Sequence, residues 1–280
     1  LHVSIIGLGT WQFGGEWGKN FQQDEVDAMF QAARETGINL IDTAECYGDH
    51  LSEQFIGHAV EGDRDKWIIA TKFGHKFHEQ FERDVVYDLD GVRQQLEDSL
   101  KALRTDYIDL YQFHSGSDQH FDRDELWELL AKFKQQGKVR HLGVSIGANT
   151  NIHQTENAPK VDAEAIQVIY NRIDRAPEDE VFPACQKHEL GVLARVPLAS
   201  GYLSGKYKPD DAGKFADGDV RGKWHKVEQT RQKLEQVQQI QQDEVPEGVN
   251  MAQWALAWCL KHPAVTCVIP GCKNVQQVQS

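Results

Sequence analysis

Cysteine is scarce in this chain, and long apolar runs are missing. The five cysteines (Cys46, Cys185, Cys259, Cys267 and Cys272) are irregularly spaced and odd in number. That excludes a disulfide framework and suits a reducing compartment, so a cytoplasmic location is expected. No stretch approaches the roughly eighteen uninterrupted apolar residues of a membrane span. Positive charge is also short: 30 Lys and Arg stand against 43 Asp and Glu, a formal net charge of −13. Without a net basic surface, neither nucleic acid nor an anionic membrane is an expected partner. The opening LHVSIIGLGT has no initiator Met and lacks the charged head and cleavage site of a secretory leader. Short terminal elements are therefore expected to be missing. GLGTWQFGG (Gly7 to Gly15) lacks the GxGxxG spacing of a dinucleotide loop and reads as a first strand and its loop. HKFH (His75 to His78) has metal-like spacing without acids or cysteines to complete a ligand set, so no metal is expected.

What is present is a regular alternation. The chain has 280 residues, 40% of them hydrophobic and 26% charged, enough to bury a substantial core in one large domain. Short β-branched or apolar runs alternate with longer helical patterns, the grammar of βαβ units. Eight strands are predicted: Val3 to Leu8, Asn39 to Asp42, Trp67 to Thr71, Tyr107 to Phe113, Leu142 to Val144, Ala165 to Ile169, Gly191 to Arg195 and Val265 to Ile269. Between them, Asp24 to Gly37 opens on a capping acid and closes on glycine, and Asp90 to Arg104 places Val92, Leu96, Leu100 and Leu103 on one stripe. Asp124 to Gly137 repeats the design. Eight units in this length predict an α/β fold, a (β/α)8 TIM barrel, as a single domain over residues 1–280. The polar stretch Lys208 to Lys226 reads as a mobile loop after strand seven and a candidate lid.

In such a barrel the chemistry sits at the C-terminal strand ends. Asp42 ends strand two, Tyr47 follows five residues later, Lys72 follows strand three and His114 follows strand four. A tyrosine titrates near pH 10, and a neighbouring ammonium is expected to lower that value by about one to three units. Lys72 supplies the ammonium and Asp42 keeps it charged and oriented. Tyr47 then protonates a carbonyl oxygen while hydride reaches the carbon, with His114 hydrogen-bonded to the same oxygen. Trp11 and Phe13 are candidates to line the substrate pocket. Cys46 is either a reactive thiol or a small packed residue.

These residues lie within IDTAECYG (Ile41 to Gly48), ATKFG (Ala70 to Gly74) and DLYQFH (Asp109 to His114). Together with PLASGYLSGKY (Pro197 to Tyr207) and VIPGCKN (Val268 to Asn274), they make the chain resemble the aldo-keto reductase superfamily over almost its whole length. The resemblance implies the same tetrad, Asp42, Tyr47, Lys72 and His114, a small-molecule carbonyl substrate and NADPH as cofactor. It implies further cofactor contacts at Thr10, Trp11 and Asp42, with Ser145 and Gln167 holding the carboxamide. The family usually has Asn directly after that serine; Ile146 stands there instead. Arg195 occupies the place of an aromatic residue stacked on the nicotinamide, and a planar guanidinium can cover the ring. Pyrophosphate needs backbone donors and space, which Leu198, Ser200, Gly201, Leu203 and Lys206 supply in the turn that opens at Pro197, a further implied cofactor contact. Gly271, Lys273, Asn274 and Gln277 match the adenosine-phosphate segment, where the Lys273 cation favours NADPH over NADH. Two alternatives stay open: a Schiff-base aldolase using Lys72, and a cofactor-binding, redox-sensing subunit similar to potassium-channel β-subunits.

Overall fold

A computed structural model describes all 280 residues. Ten strands run in chain order: β1 (Leu8–Gly9), β2 (Leu40–Asp42), β3 (Ile68–Phe73), β4 (His75–Glu79), β5 (Glu82–Val85), β6 (Ile108–His114), β7 (Val139–Ser145), β8 (Ala163–Ile169), β9 (Gly191–Arg195) and β10 (Cys267–Ile269). Eight of them form one parallel sheet in the order β1-β2-β3-β6-β7-β8-β9-β10. Parallel bridges from Ile6 to Val268 and from Gly9 to Gly271 join its two edges, which closes the expected (β/α)8 barrel.

Side chains alternate along a strand, so every second residue points into the barrel. The inward layer Leu40, Ala70, Leu110, Ala165, Leu193, Cys267 and Ile269 is a separate apolar cluster that fills the barrel. Two residues further along five of these strands stand Asp42, Lys72, Gln112, Gln167 and Arg195. A polar layer therefore rests on an apolar plug, facing the C-terminal mouth. Outward residues such as Ile69, Tyr111 and Phe113 join the main core under the helices.

The helices follow their sequence signals with small differences. The first spans Gln23–Thr36 and ends on Gly37 at φ 76°. Its cap is Gln22 with Glu25 in a reciprocal capping box, not Asp24, because Gln22 is the last residue with extended backbone. Leu89–Ala102 buries Val92, Leu96 and Leu100 as the stripe predicts.

Three features differ from expectation. Strand one is shorter than Val3 to Leu8: Ile5 is exposed, and pairing begins at Ile6. An antiparallel hairpin, β4 paired with β5, follows β3. Its turn carries Phe81 at φ 72° in place of the glycine or asparagine that would announce it. The stretch Lys208 to Lys226 is tied down in its middle. Gly18 N donates to Gly218 O at 3.1 Å, Val220 N donates to Glu16 O at 2.8 Å, and Arg221 forms a buried ion pair with Asp219. It ends in a short helix, Val220–Trp224.

Candidate active site

A cavity of about 1080 Å³ opens at the C-terminal mouth, lined by Tyr47, His114, Gln167, Arg195 and Lys273 among others. The four predicted catalytic residues converge at its floor. Lys72 is 1% exposed, and its Nζ donates to Asp42 Oδ1 at 2.7 Å, to Thr43 O at 2.7 Å and to Tyr47 OH at 3.3 Å. Those three bonds use all its donors, so Lys72 sits behind Tyr47 with no free face towards the cavity. The Tyr47 and His114 rings stand 6.4 Å apart and nearly perpendicular, at 85°.

Glycine sets the position of Tyr47. A Cβ on Gly14 would lie 2.6 Å from the Tyr47 carbonyl carbon, and one on Gly48, whose φ is 71°, would lie 2.7 Å from Gly14 O. The loop from β2 rests directly on the backbone of the loop after β1, an approach that side chains at either position would prevent.

The electrostatics depart from expectation in one respect. Burial pushes the Tyr47 phenol up, and the nearby Lys72 ammonium pulls it down less strongly, so it ends at about 12. The expected lowering is therefore wrong in sign for the free protein: desolvation of a phenolate outweighs its attraction to a cation that Asp42 already neutralises. Burial also acts against the Lys72 ammonium, but Asp42 and Tyr47 overcome it and hold Lys72 above its ordinary value. Burial, helped by Lys72, His75 and Arg195, holds the His114 imidazole well below its usual range. At neutral pH the site holds a neutral phenol, an ammonium and a neutral imidazole.

Gln112, which the sequence reading passed over, completes the polar layer. It donates to Asp42 Oδ2 at 3.3 Å and accepts from Gln167 Nε2 at 3.2 Å, while Gln167 Nε2 also donates to Asp42 Oδ2 at 2.6 Å. Ser145 Oγ in turn donates to Gln167 Oε1 at 3.3 Å. The signal was available in alternation, since Gln112 lies two residues before His114 on one strand.

The other predicted contacts divide. Thr10, Trp11, Asp42, Pro197, Leu198, Ser200, Gly201, Lys206, Gly271 and Gln277 line the cavity, whereas Ser145, Leu203 and Asn274 do not. Leu203 is fully buried in a packed cluster, and Asn274 caps the last helix by accepting from Gln277 N. Arg195 also lines the cavity, with Nη2 donating to Ile146 O at 3.2 Å and Nε without a partner. Beyond it, Val196, Ala199 and Ser200 all have positive φ, and Gly201 continues at φ 89°. Such strain in non-glycine residues is held only where the surroundings impose it, commonly around a ligand.

Lys273 Nζ donates to Trp17 O at 2.6 Å. Burial lowers its ammonium from the ordinary value, with Arg221, Lys206 and Lys19 acting in the same direction. A cationic cluster thus stands at the far end of the cavity, and Arg221 reaches it from the 208–226 segment, where no motif marked it. Trp17 Nε1, buried in the same wall, has no hydrogen-bond partner.

Other sequence candidates are resolved by burial and direction. Trp11 lines the cavity, whereas Phe13 is 1% exposed and packs on Phe21 in the core. His75 packs on His114, and His78 turns outward to Asp84. Cys46 is buried, and burial pushes its thiol up to about 11, the value of an inert packed cysteine.

Residues 5–280 match the family model for the aldo/keto reductase family. The NADH-specific methylglyoxal reductase of Escherichia coli is 30% identical over all of this chain and 89% of its own length; an aldo-keto reductase of Bacillus subtilis is 32% identical over all of this chain and 84% of its own. Among solved structures, the glycerol dehydrogenase of Gluconobacter oxydans superposes with a TM-score of 0.83 at 30% identity, over 99% of this chain and 84% of that one. An aldo/keto reductase of Klebsiella pneumoniae in complex with NADP and acetate reaches 0.71 at 27% identity, over 99% and 83%. With a closed barrel, a buried Asp-Lys-Tyr chain at its mouth and a family match from end to end, the chain belongs to the aldo/keto reductase family.

Proposed function

We propose that this protein is an NADPH-dependent oxidoreductase that reduces aldehyde or ketone groups of small molecules to alcohols, with Tyr47 as the general acid. One observation carries the reading: a neutral phenol in the cavity wall, backed by a buried ammonium that Asp42 holds charged. When bound, NADPH supplies the hydride and its electron pair to the carbonyl carbon. The negative charge then gathers on the carbonyl oxygen. Tyr47 gives its proton to that oxygen, an alkoxide far more basic than the phenolate left behind. Lys72 stabilises the phenolate at the moment it forms, and neutral His114 donates a hydrogen bond that directs the oxygen.

The cavity fits an extended dinucleotide. The strained turn from Val196 to Gly201 turns backbone towards it, the unpartnered Arg195 Nε and Trp17 Nε1 are donors without acceptors, and Lys273, Lys206 and Arg221 concentrate positive charge at one end. Arg195 would cover the nicotinamide, and Lys273, Lys206 and Arg221 would hold the phosphates. The named relatives divide between NADH and NADP; the cationic cluster favours NADPH here. A Schiff-base role for Lys72 is disfavoured by its burial and by the three bonds on its ammonium.

Replacement of Tyr47 by Phe tests the reading. Steady-state NADPH oxidation with an aldehyde should fall by about 10²–10⁴-fold, while NADPH affinity, read by fluorescence titration, stays near the wild-type value. Retained turnover removes Tyr47 from the acid's role, and single-cycle oxidation by the unaltered protein favours the redox-sensing subunit.

A further inference from the structure

Trp224 ends the short helix of the 208–226 segment, lines the cavity and is 52% exposed. Its ring leans on Trp11 at 5.6 Å between centroids and 38° between planes, and Trp11 lies against Tyr47 at 5.9 Å and 22°. The three rings make a column that starts at the phenol and ends in solvent. Trp11 is fixed: its Nε1 donates to Glu16 Oε2 at 2.7 Å, and buried Glu16 is held by Arg83 and by the Phe81 backbone from the hairpin. The chain on either side of Trp224 is anchored. Val220 N donates to Glu16 O ahead of it, and Tyr202 OH pairs with His225 Nδ1 just after it. An indole that rests on Trp11 and is half uncovered at the rim of a cavity presents a flat apolar surface towards solvent.

We infer that Trp224 is a specificity-determining residue that receives the aromatic part of an extended aryl or aryl-conjugated carbonyl substrate. The inference rests on the proposed carbonyl reduction. With the carbonyl at Tyr47, a ring bonded directly to it lies along Trp11, and only a substrate one ring longer reaches Trp224. A small aliphatic aldehyde ends short of it. Aromatic rings attract offset or tilted partners beyond simple area burial, and indole offers the largest such surface of any side chain.

The test compares 2-naphthaldehyde with propanal in the NADPH-bound enzyme. For Trp224→Ala, the ratio of kcat/KM for 2-naphthaldehyde to that for propanal should fall roughly five- to thirty-fold, the fold-change expected for losing a ring contact and the area it covers. The loss should sit in KM, and Trp224→Phe should restore most of it. An unchanged ratio, or a loss residing in kcat, overturns the assignment. Quenching of tryptophan fluorescence by 2-naphthalenemethanol in the NADP⁺-bound protein reads the same contact without turnover. Equal quenching and affinity in the wild type and Trp224→Ala overturn the inference, whereas weaker binding in the variant supports it even if neither aldehyde is reduced, a result that would count against carbonyl reduction alone.

Discussion

Glu45, two residues before Tyr47, gives the most direct test of the electrostatics beneath the loop that carries Tyr47. Its side chain is 2% exposed and Oε2 has no hydrogen-bond partner. Beside it Glu53, fully buried, is already engaged by Thr71 Oγ1 at 2.6 Å and His50 Nδ1 at 2.5 Å. Burial pushes the Glu45 carboxyl up to about 8; His50 opposes the rise, and Glu53 adds to it. A carboxyl that binds its proton more tightly when folded leaves stability untouched below its unfolded value near 4.5. It then destabilises the native state progressively until the pH passes about 8. At about 1.4 kcal/mol per pH unit, the loss is roughly 5 kcal/mol in a dry site and about half that where water enters. Glu45→Gln removes the titration while keeping the shape. Melting followed by circular dichroism should show the variant and wild type close together at about pH 5 and the variant about 4–10 °C more stable at pH 9. Melting temperatures that run parallel across that range would refute the linkage.

Turnover should respond differently to pH. Tyr47 keeps its proton up to about 12, His114 stays neutral and Lys72 stays charged, so kcat for reduction by Glu45→Gln at saturating cofactor should be flat between about pH 6 and 9; a break inside that window in the pH-rate profile of this variant, which lacks the Glu45 titration near 8, would show that Tyr47, His114 or Lys72 titrates there. Lys273→Ala should weaken NADPH by about 10- to 100-fold, the worth of a charge-assisted hydrogen bond, and NADH far less. Equal losses in titrations of the two nucleotides would remove Lys273 from phosphate recognition.

The barrel and the meeting of Asp42, Tyr47, Lys72 and His114 at its mouth were legible because both are written locally. Strand identity follows from short apolar runs between helical periods, and catalysis in this architecture uses strand ends, so Asp42, Lys72 and His114 could be found by locating where strands stop. The same alternation already contained Gln112, two positions before His114. Other parts had no local mark. The hairpin after β3 turns through Phe81 at positive φ, a conformation that other contacts impose and its sequence does not announce. Trp11 with Glu16, Arg83 of the hairpin, and Arg221 with Trp224 come from three segments far apart in the chain and acquire meaning only where those segments meet.

Charge divides along the same line. The sequence by itself determined which groups would be present at the mouth of the barrel, since residue type and strand position are properties of the chain. The direction in which Tyr47 and Glu45 shift was decided by tertiary structure alone. Desolvation depends on every atom that replaces water around a group, and most of those atoms belong to segments distant in sequence.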